Sequence, residues 1–388
     1  MPHLFRVALA AVIGLLLTST VPVQAESAPA ATPLPDGRYL YVAAPGVRDI
    51  LDFGGHGVLI FDIDRGHKFV RRIPARGVDE NGKPLNVKGV CASAATGRLY
   101  VSTLRFLTCY DLLTDQVVWE KAYEGGCDRM AITPDGKVIY LPSLEGPHWH
   151  VVDATSGDVI KKIVPDSGAH NTVVGINGKY AYLAGLRSPE VTVVDTATHE
   201  VVRKVGPFTA PVRPFTVNGD GTRLFACVNE RLGFEVGDAV TGKVLAAVSV
   251  EGFGKGPVKR HGCPSHGVGL SPDERTLWVT DATNKHLHVY DATAMPPRIL
   301  HSVALRDEPG WVTFSLDGTY VYPSTGEVID AASRKVVAQL TDGEGRAVQS
   351  EKMLEIDFAR GKPVQAADQF GIGRRFRATV RTHEAAPQ

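Results

Sequence analysis

One pattern recurs seven times along this chain of 388 residues and constrains its fold more than any other feature. Each copy has a tight turn, a strand led by an aromatic residue, a loop, and a second apolar strand that closes with Asp. The aromatic residues are Tyr41, Tyr100, Tyr140, Tyr182, Phe225, Trp278 and Tyr322. The aspartates are Asp62, Asp111, Asp153, Asp195, Asp238, Asp291 and Asp330. Copies of one unit bury their apolar faces by stacking, so the pattern predicts a repeat architecture.

The residues around this pattern indicate that each copy is a small β-sheet. Short turns such as Pro134-Asp135-Gly136 precede the aromatic strand, and Gly or Asn in such turns supplies the positive φ that a tight hairpin needs. A further strand, such as Val201–Val205, follows the Asp. Four short strands per copy, bounded by turn residues, predict an all-β, seven-bladed β-propeller with four-stranded antiparallel blades.

The pattern resembles that of the YVTN-repeat family of secreted bacterial seven-bladed β-propeller proteins. The likeness covers nearly the whole chain after its N terminus and implies a single closed ring. It departs from the family in the last copy, where Tyr322-Pro323 interrupts the strand, so that blade is expected to be shortened. The resemblance leaves the function open, because this architecture carries enzymes, binding proteins and scaffolds.

The N terminus is typical of an exported protein. Arg6 is followed by the apolar run Val7–Leu17 and by Val23-Gln24-Ala25, a small-residue cleavage signal. The mature protein is therefore predicted to be periplasmic or secreted, after cleavage near Ala25. The predicted segments are a signal peptide at 1–25, a disordered leader at 26–33, one propeller domain at 34–373 and a solvated tail at 374–388.

The ring needs a closing strand, because the first blade has no room for its own innermost strand after the leader. Lys352–Phe358 alternates apolar and polar residues as a strand does. We predict that this C-terminal strand completes the first blade and closes the ring. Closure of this kind covers a sheet edge that would otherwise be exposed.

The overall charge argues against large polyanionic partners. Lys and Arg total 42, and Asp and Glu also total 42. A neutral chain presents no net field that would attract nucleic acid or an anionic membrane surface. The apolar run near the N terminus is too short to span a bilayer, so no membrane span is expected. No sequence feature specifies the oligomeric state.

The loops of a propeller divide between two faces. The turns that join the first strand to the second, and the third to the fourth, lie on one face, and here they are short Asp-Gly and Thr-Gly turns. The longer connections lie on the other face, around the mouth of the central channel, where a binding site is expected. Two insertions, Val47–Gly57 and Glu251–Pro264, enlarge that face. The second is rich in Gly and basic residues and is expected to form a lid or rim.

Polar and charged residues are concentrated on this second face. The predicted ligand-binding residues are Lys88, Asp128, Arg129, Arg187, Arg213, Glu230, Glu308 and Trp311. They favour a small anionic or carbohydrate-like ligand, or a protein partner, at a mouth lined by His and Arg. A structural role stays open for Arg129 and Arg213, since arginines in such rings also form salt bridges with neighbouring carboxylates.

The same mouth offers groups for catalysis. His170 and His266 are candidates for a general acid and base, so an enzyme of the lactonase or lyase type is the alternative to a binding protein. Imidazole and carboxylate groups also suit a divalent metal ion. The predicted metal ligands are Glu145, His148, His150, His170 and His266. No spacing signature ties these five residues together, so the presence of a metal stays open.

Other chemistries have less support. The sequence contains no Gly-x-Ser-x-Gly elbow for a serine hydrolase, no Cys-x-x-Cys motif, and nothing that marks a covalent cofactor. Cys127 and Cys263 both fall in loops near the mouth. In an oxidising compartment we expect these two thiols to form a disulfide across it.

Overall fold

Each copy of the sequence pattern forms one blade of a seven-bladed β-propeller, as predicted. The computed structural model describes residues 31–369. Within them lie seven antiparallel sheets, six with four strands and one with five. No helix in this range is long and apolar enough to cross a membrane. The predicted signal peptide (1–25), most of the predicted leader (26–33) and the predicted tail (374–388) lie outside the described residues.

The strands follow one another around the ring in chain order. Blade one has β1 (Gly37–Ala44), β2 (Gly57–Asp62) and β3 (Lys68–Ile73). Blade two has β4 (Val87–Ser93), β5 (Arg98–Thr103), β6 (Phe106–Asp111) and β7 (Val117–Ala122). Blade three has β8 (Ala131–Ile132), β9 (Val138–Pro142), β10 (Trp149–Asp153) and β11 (Val159–Ile163). Blade four has β12 (Ala169–Val174), β13 (Tyr180–Gly185), β14 (Val191–Asp195) and β15 (Glu200–Val205).

The remaining blades repeat this order. Blade five has β16 (Val212–Val217), β17 (Arg223–Val228), β18 (Gly233–Asp238) and β19 (Val244–Ser249). Blade six has β20 (Val268–Leu270), β21 (Thr276–Asp281), β22 (His286–Asp291) and β23 (Arg298–Ala304). Blade seven has β24 (Val312–Phe314), β25 (Tyr320–Pro323), β26 (Glu327–Asp330) and β27 (Lys335–Gln339). The last two strands, β28 (Met353–Ala359) and β29 (Lys362–Ala366), join blade one, and a short 3-10 helix spans Leu51–Phe53.

The recurring aromatic residue fills the space between neighbouring blades. All seven are at most 2% exposed, and aromatic rings of this size contribute strongly to a buried core. Three of them also bond to the next blade: Tyr100 Oη donates to Ala154 O at 3.0 Å, Tyr140 Oη lies 2.8 Å from His199 Nδ1, and Tyr322 Oη lies 2.9 Å from His67 Nε2. The last of these contacts joins blade seven to blade one.

The recurring Asp shapes the turn between the third and fourth strands of a blade. Asp153 Oδ1 accepts hydrogen bonds from the backbone N–H groups of Thr155 and Ser156, at 2.8 and 3.0 Å. A carboxylate that caps its own turn in this way stabilises the reversal of the chain. The same arrangement recurs at Asp111, Asp195 and Asp238.

The ring closes through the C-terminal strand, which confirms the sequence prediction. β28 pairs antiparallel with β1, and the sheet order β29-β28-β1-β2-β3 makes β28 the missing inner strand of blade one. The fifth strand, β29, was not predicted. It pairs with β28 on the channel side because Arg360 and Gly361 both adopt a positive φ, of 55° and 70°, and reverse the chain in two residues. The backbone O of Gln369 then accepts a hydrogen bond from Trp311 Nε1, and this contact ties the end of the described chain to blade seven.

Strand β28 also buries a pair of acidic groups away from the mouth. Glu355 is fully buried, and its Oε2 accepts a hydrogen bond from Leu316 N at 2.7 Å. Burial and the neighbouring Asp357 raise the pKa of Glu355 to about 9, against the opposing effects of the Leu316 N–H and Arg38. Burial raises the pKa of Asp357 as well, with Asp317 and Asp64 also nearby. Native β28 therefore holds a carboxyl proton at neutral pH.

We expect the substitution Glu355→Gln to stabilise the protein at alkaline pH. The unfolded chain ionises this group above its ordinary pKa of 4.5, whereas the native chain keeps the proton. The native state therefore binds more protons, and the free energy of unfolding of the wild type falls as pH rises above that value. Glutamine preserves the acceptor for Leu316 N and does not titrate. At about pH 8 it should raise the free energy of unfolding by about 2 kcal/mol, the equivalent of roughly one and a half pKa units.

Melting temperatures of the two proteins across the range from about pH 5 to about pH 9 test this expectation. The matched control is Glu344→Gln, which removes a carboxylate that is 68% exposed and should keep the pH dependence of the wild type. A Glu355→Gln protein that melts below the wild type at the alkaline end would contradict the assignment.

Candidate functional site

A cavity of about 120 Å³ lies at the channel mouth on the face predicted from the loops. Its volume accommodates a few water molecules or a small ligand. The side chains at its centre come from the start of the innermost strand in six blades: Lys88, Arg129, His170, Arg213, His266 and Lys352. The fold thus brings equivalent positions of successive repeats to a single point, although these residues are far apart in the sequence.

Positive side chains dominate the wall of the cavity. The lining contains six cationic residues, Arg48, Lys88, Arg129, Arg213, Arg260 and Lys352, and two carboxylates, Glu145 and Glu351. Two of the cations contact neutral groups: Arg213 bonds to Asn229 Oδ1 at 2.5 Å and Gly262 O at 3.2 Å, and Arg48 bonds to Arg260 O. The positive charge of the wall therefore exceeds the charge of its own carboxylates.

Arg129 is the most deeply buried of these cations. It is 3% exposed, and its guanidinium carbon lies 3.6 Å from the centre of the Trp311 ring. Nη2 donates to Glu351 Oε2 at 2.9 Å. Its Nε and Nη1 atoms find no hydrogen-bond partner within the described chain. Buried donors without partners are costly, and a carboxylate or phosphate fits the planar fork of a guanidinium.

Asp128 orients a histidine next to Arg129. His170 Nδ1 donates to Asp128 Oδ2 at 2.7 Å, and Lys88 Nζ lies 3.4 Å from Asp128 Oδ1. Burial alone would raise the pKa of Asp128, but the effects of His170 and Lys88 outweigh it and lower the pKa. Burial lowers the pKa of His170 despite the opposing effect of Asp128. At neutral pH the pair is a carboxylate and a neutral imidazole whose Nε2 is available as a base.

Glu351 is the central hydrogen-bond acceptor on the cavity wall opposite Asp128 and His170. Its Oε2 accepts from Arg129 and from Lys352 Nζ at 2.8 Å, and its Oε1 lies 3.0 Å from His261 Nδ1. Burial would raise the pKa of Glu351, but the charges of Lys352 and His261 outweigh it and hold the pKa well below its usual value. Burial lowers the pKa of Lys352 to about 7, with Arg129 acting in the same direction.

The insertion Glu251–Pro264 reaches the cavity, in agreement with the predicted rim. Glu308 fixes this loop, because its Oε1 accepts from Arg260 N at 2.8 Å and its Oε2 accepts from Lys259 N at 3.3 Å. The loop carries His261 to a position beside His266, where the two rings stack with centroids 5.1 Å apart. Glu308 is therefore an anchor for the rim.

Most residues predicted from the sequence lie at or against the cavity. Lys88, Arg129, Glu145, His170, Arg213 and His266 line it. Asp128 and Trp311 support His170 and Arg129 from behind. Arg187 is exposed on the rim, where its Nη1 donates to Glu145 O at 2.9 Å. Glu230 lies elsewhere: its side chain is 83% exposed and pairs with Lys255 Nζ at 2.8 Å.

The predicted metal set is not assembled as a group. His148 and His150 point to the same side of their strand, as expected, but they are buried inside blade three and do not line the cavity. Their Nε2 atoms lie 3.1 Å apart, and His150 Nε2 donates to Glu124 O at 3.0 Å. These two rings therefore complete the packing of a blade and lie apart from Glu145, His170 and His266.

Several residues of the site were missed by sequence reasoning. Glu351 and Lys352 immediately precede β28, so they occupy the blade-one position that corresponds to Arg129 and His170 in other blades. This correspondence follows from the predicted closing strand and would have identified them. His261 comes from the insertion Glu251–Pro264, where no repeat register exists to place it.

The predicted disulfide between Cys127 and Cys263 is wrong. Cys127 precedes blade three and Cys263 precedes blade six, so the two thiols lie on different sides of the ring and both are buried. Cys127 Sγ donates to Arg105 O at 3.5 Å, and Cys263 Sγ donates to Ser265 O at 3.0 Å. Burial raises the pKa of both thiols, that of Cys263 to about 12. Neither thiol is a ready nucleophile.

Comparison with known proteins identifies the fold. No family model matches the sequence, and no curated protein matches it significantly. Among solved structures, the chain is similar to Kuenenia stuttgartiensis hydrazine synthase, with 17% identity and a TM-score of 0.57 over 73% of this chain and 95% of that one. It is also similar to the dihydro-heme d1 dehydrogenase NirN in complex with DHE, with 16% identity and a TM-score of 0.60 over 90% of this chain and 76% of that one. Similarity at this level shows the β-propeller fold alone.

Proposed function

We propose that this protein binds a small anionic molecule, such as a carboxylic acid, at the mouth of the central channel. Arg129 carries the proposal, because it is a buried guanidinium on the cavity wall with two N–H positions that find no partner in residues 31–369. A bound carboxylate supplies acceptors of the matching charge and planar geometry.

The surrounding charges favour the same ligand class. Asp128 and Asp307 pair with Lys88 and Arg260, and Glu351 pairs with Arg129 and Lys352. Arg48 and Arg213 contact neutral groups and supply the excess positive charge of the wall. A site that is enclosed and partly desolvated strengthens the attraction between these groups and an anion, compared with the same groups in water. Long-range attraction by the whole protein contributes little, since its formal charge is zero. The recognition therefore depends on the local arrangement at the mouth.

A lyase- or lactonase-type enzyme is the second candidate, and the contact between Asp128 and His170 favours it. A carboxylate that receives Nδ1–H fixes the tautomer of the imidazole and directs the basic Nε2 towards a substrate. Arg129 follows Asp128 directly in the chain, so an acid held by Arg129 would lie near this base. In such a reaction Nε2 removes a proton from carbon or from water, and the cationic wall stabilises the negative charge that develops.

We also propose that the chain is an exported member of the YVTN-repeat propellers. The repeated aromatic and Asp positions support the family, and the basic residue, apolar run and small-residue site before Glu26 support export.

Replacement of Arg129 is expected to weaken anion binding. Arg129→Met removes a charged hydrogen-bond donor worth about 1.5–3 kcal/mol, so malonate, used as the probe, should bind about 10- to 100-fold more weakly. Isothermal titration calorimetry measures the change. Arg346→Met is the matched control, because this side chain is 58% exposed and pairs with Asp342 and Glu344.

A second mouth variant guards against a folding defect, since Arg129→Met leaves Glu351 with fewer partners. Arg213 bonds to Asn229 Oδ1 and Gly262 O, which are neutral, so Arg213→Gln leaves no carboxylate without its partner. This variant should also weaken malonate binding. Equal affinity in wild type, Arg129→Met and Arg213→Gln would refute the proposed anion site.

If the mouth is catalytic, the pH profile should report His170. Because burial lowers its pKa, kcat/KM on lactones or uronate-containing oligosaccharides should rise through a midpoint below the ordinary imidazole value of 6.5. His170→Gln should remove this rise of kcat/KM with pH. Asp128→Asn should move the midpoint of the rise to lower pH, since the carboxylate that favours the protonated His170 ring is lost. A rise of kcat/KM with pH that persists in His170→Gln would exclude His170 as the base.

Export makes a separate prediction about the mature chain. Expressed with its own N terminus, the protein should appear in the periplasm or medium with an intact mass that begins at Glu26. Replacing Ala25 by Arg should block cleavage by removing the small residue that the peptidase requires. Retention of the full chain in the cytoplasm would contradict the assignment.

A further inference from the structure

We propose that His261, His266 and Glu351 form a binding site for a divalent transition-metal ion such as Zn²⁺ on the wall of the mouth cavity. One ligand atom from each residue lies within 4.8 Å of the ligand atoms of the other two. All three residues line the cavity and are at most 8% exposed. Two imidazoles and one carboxylate are an established set for zinc, with bonds of about 2.1 Å, so the side chains need to close in by roughly 1 Å.

The contacts of His266 prepare it as a ligand. Its Nδ1 donates to Gly310 O at 3.1 Å, which fixes the tautomer and leaves the lone pair on Nε2. A backbone carbonyl that receives the second ring N–H is the usual support for a metal-bound histidine. The role of Gly310 O is therefore to orient the ring.

His261 and Glu351 offer the second and third ligand atoms. His261 Nδ1 lies 3.0 Å from Glu351 Oε1, close enough for the two atoms to share a proton. When a metal ion takes the place of that proton, His261 carries its one N–H on Nε2, facing Glu308 O, and the lone pairs of Nδ1 and Oε1 both point to the ion. On the other side of the ring, His261 Nε2 faces Glu308, with its backbone O at 3.4 Å and its carboxylate Oε1 at 3.9 Å.

The neighbours of Glu351 hold its carboxylate in the required orientation. Arg129 and Lys352 both bond to Oε2, which leaves Oε1 to face His261. A single oxygen ligand is therefore available.

Gly310 keeps the space between the ligands open. A Cβ atom at this position would lie 2.1 Å from His261 Cε1 and 2.3 Å from Glu351 Oε1. Both distances are far below van der Waals contact, so any side chain would push the two residues apart. The same glycine supplies the carbonyl that orients His266.

Three protein ligands leave at least one coordination position for a molecule in the cavity. Zinc sites of this composition hold water or substrate there and act as Lewis acids. The site rests on the residues of the cavity wall and does not depend on the proposed anion. Its test therefore uses metal alone.

The test is equilibrium dialysis of the chelator-treated, full mature chain against Zn²⁺, with Co²⁺ absorption spectra as a second readout. We expect one ion per chain and a cobalt spectrum typical of nitrogen and oxygen ligands. His261→Gln and His266→Gln should each weaken binding by about 100-fold or more. His56→Gln is the control, because His56 contacts Arg76 O away from the cluster and its loss should leave metal affinity unchanged.

Gly310→Ala provides an independent variant that retains all three ligands and fills the space between them. It should also lose the ion, while circular dichroism reports whether each variant is folded. A wild-type chain that binds no ion would overturn the proposal. So would loss of the ion in His170→Gln together with its retention in His261→Gln.

Discussion

The antiparallel pairing of β28 with β1 is the interaction on which the rest of the structure depends. It supplies the inner strand of blade one and therefore closes the ring. Glu351 and Lys352 directly precede β28, so the same pairing brings a carboxylate and an amine to the mouth. Ser350 fixes the entry of this strand, since its Oγ donates to Ala43 O at 2.7 Å. Ring closure and assembly of the site are consequently one event, and a chain that fails to pair β28 with β1 loses both.

The mouth differs from the rest of the ring because its charged residues are buried. The blades bury aromatic and aliphatic residues, and their recurring aspartates cap turns on the surface. At the mouth, Asp128, Arg129, Glu351 and Lys352 are all nearly inaccessible to solvent. Buried ions are costly unless each one is paired, and such pairs stabilise a fold less than well-packed apolar residues of the same size. Stability alone therefore does not account for this cluster, whereas the proposed anionic ligand would.

The repeat made the fold predictable from the sequence, and in part the site as well. Equivalent positions at the start of inner strands identified Lys88, Arg129, His170, Arg213 and His266, because the register of a propeller is set locally by turns and hydrophobic alternation. His261 was not identified, since an insertion has no register. The disulfide of Cys127 and Cys263 was wrong for a related reason: sequence placed both thiols near one mouth but carried no information on their separation around it. Strand β29 depends on a two-residue turn at Arg360-Gly361 that lies beyond the last repeat.

Arg129 connects the two chemically distinct sides of the mouth. Through its backbone N–H it bonds to Asp128 Oδ1 at 3.0 Å, the carboxylate that orients His170. Through its side chain it bonds to Glu351 and stacks on Trp311, beside His261 and His266. A carboxylate bound at this guanidinium would lie between His170 on one wall and the proposed metal ligands on the other. In the proposed complex the anion would complete the hydrogen bonds of Arg129 Nε and Nη1, which find no partner among residues 31–369.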